Sequence, residues 1–181
     1  MVTILVFTAA GWVVFHPAVR PHTLFYFDIG ERGWLYFSLS IPLSILVHDA
    51  YFYWTHRLMH WRPLYRIAHA THHRSTNPSP RAAFTFHPVE AVIEAGIILV
   101  FAFALPLHLY AFLAFLFFMT FFNVYGHLGY EFFPKRLTES PFGRRLNTST
   151  NHNMHLRRFD GNYAIYFRFW GVWMNTTQEQ Y

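Results

Sequence analysis

The chain has no cysteine. Disulfides, thiolate zinc sites, cysteine-held iron–sulfur clusters and a CxxCH haem attachment are excluded together, so any metal must be bound by nitrogen or oxygen. Charge is also scarce: 13% of the 181 residues are charged, against 54% hydrophobic and 22% aromatic. That balance is foreign to a soluble globular domain and points to an integral membrane protein. No Ser/Gly-rich linker, internal repeat or low-complexity tract interrupts the sequence, so residues 1–181 read as a single domain. The formal charge of +5 raises nucleic acid as a partner. Basic residues scattered among lipid-grade segments mark the cytoplasmic side of a membrane protein instead, so no nucleic-acid partner is expected.

What is present in quantity is apolar sequence. A spanning helix needs about 20 apolar residues, and four segments approach that length. Met1 to Phe15 is uncharged but short, and it lacks the basic start of a secretory signal, so it reads as a short or truncated first span. Trp34 to roughly Trp54 is the second, with Pro42 as the place for a kink and His48 and Asp49 near its end. Gly96 to Gly126 carries no formal charge and is broken near Pro106 and His108, which predicts a helical hairpin whose first arm begins near Pro88. This topology puts residues 53–90 and 126–181 on one side and 16–33 with the tip near 106 on the other. All lysines and arginines except Arg20 and Arg32 fall on the first side, which the positive-inside rule assigns to the cytoplasm.

That side also carries most of the 13 histidines. His56 and His60 are i and i+4, one face of a helix leaving the second span. His69, His72 and His73 have the spacing of a single helical stripe, and His152 and His155 repeat the logic. His127 follows the last span, and His87 precedes Pro88 and Glu90 at a helix start. His16, His22 and His108 stand alone and read as interfacial or loop residues. Clustered neutral imidazoles are the usual nitrogen ligands of zinc, iron and copper, and without a metal they stay unpaired or repel once protonated. Seven or eight of them exceed one tetrahedral site and suit two ions with open positions. Neither HExxH nor the ExxH pair of soluble di-iron bundles occurs. Asp49, close to the face of His56, either accepts an imidazole N–H or bonds to Tyr53 or water. Glu90 and Glu94 are weaker candidates beside their simpler role at the start of a helix dipole. Asn77, Pro78 and Pro80 supply turn chemistry that redirects the chain towards the membrane.

In order, "HRLMH", "HATHH", "FHPVE", "NVYGHLGYE" and "HNMH…NYAIYFRFW" resemble the fatty acid hydroxylase and sterol desaturase superfamily, membrane-bound histidine-rich di-iron oxygenases, over roughly residues 45–173. The resemblance implies an all-α integral membrane bundle of about four transmembrane helices with a cytoplasmic helical cap. It implies two iron ions and O2 as co-substrate, used to hydroxylate or desaturate a C–H bond of a sterol, fatty acyl or related lipid. His56, His60, His69, His72, His73, His127, His152 and His155 match the family's ligand positions, with Asp49, His87 and Asn151 as supporting candidates. The resemblance also implies an external electron donor, cytochrome b5, ferredoxin or a similar carrier; the chain itself has no Rossmann fingerprint or haem motif. Three departures stand out. Leu156 occupies the third histidine position of the last cluster, Ala164 the glycine of "NYG", and Gly171 a position where relatives commonly carry aspartate. Leu156 supports an alternative, a non-catalytic membrane protein that retains the fold with an impaired metal site; with that ligand missing, the second iron binds weakly, takes water or Asn151 as a substitute, or is lost. A zinc-dependent membrane hydrolase and a bis-histidine haem protein both need fewer histidines.

Overall fold

The computed structural model describes residues 2–76 and 79–178. Among these the fold is all-α, with no strand and two isolated bridges, Tyr26 to His108 and Leu146 to Phe167. Five helices carry the architecture: α1 (Val2–Phe15), α2 (Gly33–Met59), α3 (Pro88–Ala104), α4 (Leu109–Gly126) and α5 (Ser149–Arg158). By length and composition α2 and α4 can cross a membrane. At about 1.5 Å per residue α2 runs roughly 40 Å and α1 only about 21 Å.

α3, α4 and α5 each start where the sequence supplies a side-chain acceptor for the free N–H groups. The His87 Nδ1 accepts from Val89 N–H at 3.3 Å with Pro88 at the first position of α3, and the His108 Nδ1 accepts from Tyr110 N–H at 3.1 Å to open α4. Thr148 caps α5, which ends at Phe159 in the left-handed region (φ 67°). The expected kink at Pro42 does not break α2, which runs through it; Ser40 and Ser44 return hydroxyl bonds to Phe37 and Ile41 carbonyls, both 2.7 Å. Asn77 and Pro78 lie outside the described residues, and a 3-10 turn over Pro80–Phe84 leads the chain back to α3.

α1 packs on α3, and α2 packs on both α3 and α4. Their shared core gathers Val14, Phe25, Ile97, Phe101, Ala111, Phe112 and Phe115. At one end, residues 16–32 close over the α3–α4 turn: Leu24 N–H donates to the Ala102 carbonyl (2.7 Å), Tyr26 N–H to Leu107 (3.1 Å) and Leu109 N–H to Tyr26 (3.2 Å). The predicted grouping of residues 16–33 with the hairpin tip is therefore the geometry found. His108, expected as a loop residue, is 2% exposed and bonds the Phe27 carbonyl through Nε2 at 3.0 Å. Its isolation in sequence concealed a structural role.

The far end is tied by Asp49. Its Oδ1 accepts from Tyr166 N–H (2.9 Å) and Phe167 N–H (3.1 Å), while His48 Nδ1 meets the Tyr166 hydroxyl at 2.8 Å. Asp49 therefore holds neither an imidazole nor Tyr53, whose hydroxyl instead meets Thr176 Oγ1 at 2.9 Å. The carboxylate's partners are main-chain groups 117 and 118 residues away, which no local spacing reveals. Asp49→Ala leaves the buried Tyr166 N–H and the partly buried Phe167 N–H unpaired, and we expect a loss of about 1–3 kcal/mol for the first and less for the second. Thermal unfolding in detergent checks this, with Asp49→Asn, which keeps an acceptor, falling between the two.

Candidate metal centre

At the end opposite the α3–α4 turn, eight histidines converge from four segments. His56 and His60 close α2, His69, His72 and His73 follow it, His127 ends α4, and His152 and His155 lie on α5. They form two groups: His56, His60, His69, His73 and His155, and His72, His127 and His152. Within each group one nitrogen per ring lies within 4.8 Å of all the others. Ions bound at about 2.0–2.1 Å by imidazole place opposed ligands about 4.2 Å apart, so both groups have the dimensions to hold an ion.

The expected single stripe for His69, His72 and His73 is not what forms. Tyr65–His69 is a π-helical turn and His72–Arg74 a 3-10 turn, and this change of pitch sends His69 and His73 to one group and His72 to the other. α5 divides its pair in the same way, His152 from His155. The groups still adjoin, with the His69 and His72 rings stacked at 5.2 Å.

Hydrogen bonding behind the rings sets which nitrogen faces inward. His56 Nδ1 donates to the Tyr163 carbonyl (2.9 Å), His127 Nδ1 to Asn123 (2.7 Å) and His155 Nδ1 to Gly161 (2.6 Å). A carbonyl only accepts, so each of these rings keeps its proton on Nδ1 and presents a lone pair at Nε2. His69 Nδ1 lies 2.8 Å from Glu90 Oε1. The inward atoms crowd together: His56 Nε2 is 3.0 Å from His69 Nε2, His60 Nε2 3.2 Å from His73 Nε2, and His127 Nε2 3.1 Å from His152 Nε2 and 3.5 Å from His72 Nε2. The His155 Nε2 is buried and among the described residues has no hydrogen-bond partner. Inward lone pairs this close, one of them orphaned, are the donor set a cation completes.

Burial keeps the rings outside the spanning helices neutral. His60 is pushed down to about 3, by burial first and then by His73; His73 and His127 go down to about 4, by burial. His69, His72, His152 and His155 move in the same direction, burial first and neighbouring imidazoles adding to it.

His87 and Asn151 stay out of both groups. The His87 Nδ1 is used in capping α3, and Asn151 meets Asn162 through its main-chain carbonyl at 3.4 Å. Leu156 is fully buried one turn after His152. Among the described residues Glu90, a weaker candidate in the sequence because a place in the first turn of an apolar helix also suits a dipole partner, is the carboxylate that reaches an imidazole. The carbonyls of Asn123, Gly161 and Tyr163 carry no side-chain signal at all. Ala164 is buried, and its carbonyl accepts from Asn147 Nδ2 at 2.6 Å. At Gly171 an added Cβ meets Thr177 Oγ1 at 2.8 Å, so the packing here is fitted to glycine.

A small cleft of about 30 Å³ beside His56, His69, His72, His127 and His152 borders a larger apolar cavity of about 370 Å³. Phe52, Phe86, Glu94, Asn123 and Ile165 line both.

The family model described as fatty acid hydroxylase matches residues 41–176. The chain belongs to the fatty acid hydroxylase family. It is 33% identical over 159 residues to a Delta(7)-sterol 5(6)-desaturase of Gibberella zeae, covering 84% of this chain and 47% of that protein. It is 31% identical over 154 residues to lathosterol oxidase of Mus musculus, covering 84% and 50%. A Delta(7)-sterol 5(6)-desaturase of Schizosaccharomyces pombe is 30% identical over 143 residues, covering 79% and 45%. The chain thus spans about half the length of the relatives it matches. No solved structure matches it.

The depressed histidines fix the sign of a pH dependence in this family member. An unfolded histidine titrates near 6.5, so below that pH the unfolded chain takes up protons that the buried rings refuse. Stripped with a chelator, the protein should be fully stable near pH 7 and lose stability steadily as pH falls from about 6.5 through 4 towards 3. Unfolding temperature against pH checks this, and a flat profile between pH 7 and 4 contradicts it.

Proposed function

We propose that this chain carries the metal centre of a membrane-bound di-iron oxygenase that hydroxylates or desaturates a lipid C–H, with sterols as the favoured substrate class. One observation carries the reading: two adjoining histidine groups, of five and three, present inward nitrogen donors behind fixed tautomers. Family membership and the sterol-oxidising names of the relatives support it. His56, His60, His69, His73 and His155 would hold one iron, and His72, His127 and His152 the other. When bound, the irons supply the electron transfer and O2 chemistry that imidazole and carboxyl groups lack.

The chain's own residues do the rest. The Tyr163, Asn123 and Gly161 carbonyls and Glu90 orient the ligand rings, and such supports set ligand basicity and geometry. Phe52, Phe86 and Phe122 wall the cleft and exclude water from the reacting lipid. The cavity between α1 and α4, lined by Phe7, Gly11, Phe112, Leu116 and Met119, receives the lipid from the bilayer side. In this reading α1 and α3 join α2 and α4 as spans, and the histidine end forms a cap facing the cytoplasm, supported by the Lys/Arg asymmetry. Electrons arrive from cytochrome b5, ferredoxin or a similar external carrier. The alternative, a non-catalytic protein that keeps the fold with a metal site impaired by Leu156, gains nothing over this reading: the eight remaining histidines assemble with Leu156 in place.

Iron analysis of protein loaded anaerobically under reducing conditions tests the proposal. We expect close to two irons per chain, loss of iron from His56→Ala and His127→Ala, and Leu156→His binding at least as tightly as wild type. A wild-type chain that takes up no iron overturns it. The cavity has its own test. Nothing lies within 4 Å of a Cβ added at Gly11, so Gly11→Leu projects into free space while improving helix propensity by up to about 1 kcal/mol. Its unfolding temperature should hold or rise while kcat/KM for lathosterol falls about tenfold or more.

A further inference from the structure

The cavity wall holds one polar group without a role. Among its polar side chains, Thr3 Oγ1 bonds the Phe84 carbonyl (2.9 Å), Asn123 Nδ2 the Ala83 carbonyl (2.8 Å) and His48 Nδ1 the Tyr166 hydroxyl (2.8 Å). Thr8 and Thr120 lie at the exposed edge. Glu94 is different. It is 6% exposed, borders both the cavity and the cleft, and among the described residues its carboxyl makes no hydrogen bond or ion pair. The cavity wall beside it includes Ile98, Phe112, Leu116 and Met119, and the polar groups close enough to interact with it are bonded elsewhere: Glu90 with His69, the Tyr51 hydroxyl with the Ile93 carbonyl and the Tyr166 hydroxyl with His48. A buried carboxyl without a partner opposes folding, and a ligand that supplies the partner removes that penalty.

We propose that Glu94 is a specificity-determining residue whose carboxyl hydrogen-bonds a hydroxyl group of the lipid substrate and so fixes which carbon faces the histidines. The assignment rests on the oxygenase reading for what happens to that carbon, though not for the binding itself. Glu94 sits one turn beyond Glu90, whose carboxylate touches His69, and one turn is about 5.4 Å along the axis. A hydroxyl held there lies beside the cleft, so the substrate class is a lipid whose hydroxyl is only a few bonds from the oxidised carbon. Either protonation state serves: a carboxylate accepts the hydroxyl proton, and a carboxylic acid donates to the hydroxyl oxygen.

Matched lipid pairs test this on the full chain, iron-loaded in nanodiscs: lathosterol against its 3-deoxy analogue, and hexadecan-1-ol against hexadecane. Competition binding should favour the hydroxylated member of at least one pair by about tenfold in the wild type, the scale of one buried hydrogen bond. Glu94→Leu, which suits an apolar wall, should bring that preference within about twofold, and Glu94→Gln, which keeps an acceptor and a donor, should retain most of it. A preference that survives Glu94→Leu, or a wild type that discriminates within neither pair, overturns the proposal. Iron content measured on the same samples separates the two readings. Preference that follows position 94 in a chain without iron sinks the oxygenase alone, and an iron-loaded, active chain indifferent to position 94 sinks the Glu94 assignment alone.

Discussion

The site depends on proton placement. Because the carbonyls of Tyr163, Asn123 and Gly161 can only accept, His56, His127 and His155 must keep hydrogen on Nδ1, and their Nε2 lone pairs are turned inward. Burial then denies the rings outside the spans the second proton that would make them cations. A set of neutral donors facing one another at 3.0–3.5 Å is poorly satisfied by itself. It is well matched to a divalent ion, which needs lone pairs and loses affinity to competing protons. The outer partners are thus as much part of the centre as the rings.

Those outer partners come from elements far apart in sequence, which is why the fold around them must be rigid. Tyr163 and Gly161 belong to the segment after α5, and Asp49 in α2 clamps that segment through the Tyr166 and Phe167 amides. Tyr53, also on α2, stacks on Trp170 at 6.1 Å. α2 therefore presents His56 on one side of the clasp while the same clasp delivers the carbonyl that orients it. The lower core of Phe101, Phe112 and Phe115 holds α3 and α4 together, and so relates His127 to Glu90.

Sequence reasoning captured the side chains and missed the backbone. Apolar runs located the helices to within a few residues: the span read as Trp34–Trp54 is Gly33–Met59, and the hairpin near Pro106 parts α3 from α4 as expected. Histidine spacing singled out seven of the eight residues that assemble, because side chains at i, i+3 and i+4 tend to share a face, and the family resemblance supplied the isolated His127. It failed where pitch changes. Nothing in "YRIAHATHH" announces a π-helical turn followed by a 3-10 turn, so the division of His72 from its neighbours was invisible. Asp49 and Glu90 both read as possible imidazole supports, and it is the weaker candidate, Glu90, that touches a ring. Asp49 lies near His56 in sequence yet serves main-chain amides, whereas Glu90, 21 residues from His69, is the carboxylate that reaches a ring.

The change of pitch has a consequence for how the two groups work together. In a regular helix His69, His72 and His73 would lean the same way and crowd a single centre. Instead the post-α2 segment gives two rings to one group and one to the other, and α5 gives one to each. Two separate stretches of chain therefore cross-link the groups, and the stacked His69 and His72 rings fill the boundary between them. Displacing His72 strains His69 and through it Glu90, and displacing His152 strains His155 and its carbonyl tether to Gly161. The unequal sets of five and three are thus tied to each other by the chain, and the cleft touches both, through His56 and His69 of one and His72, His127 and His152 of the other.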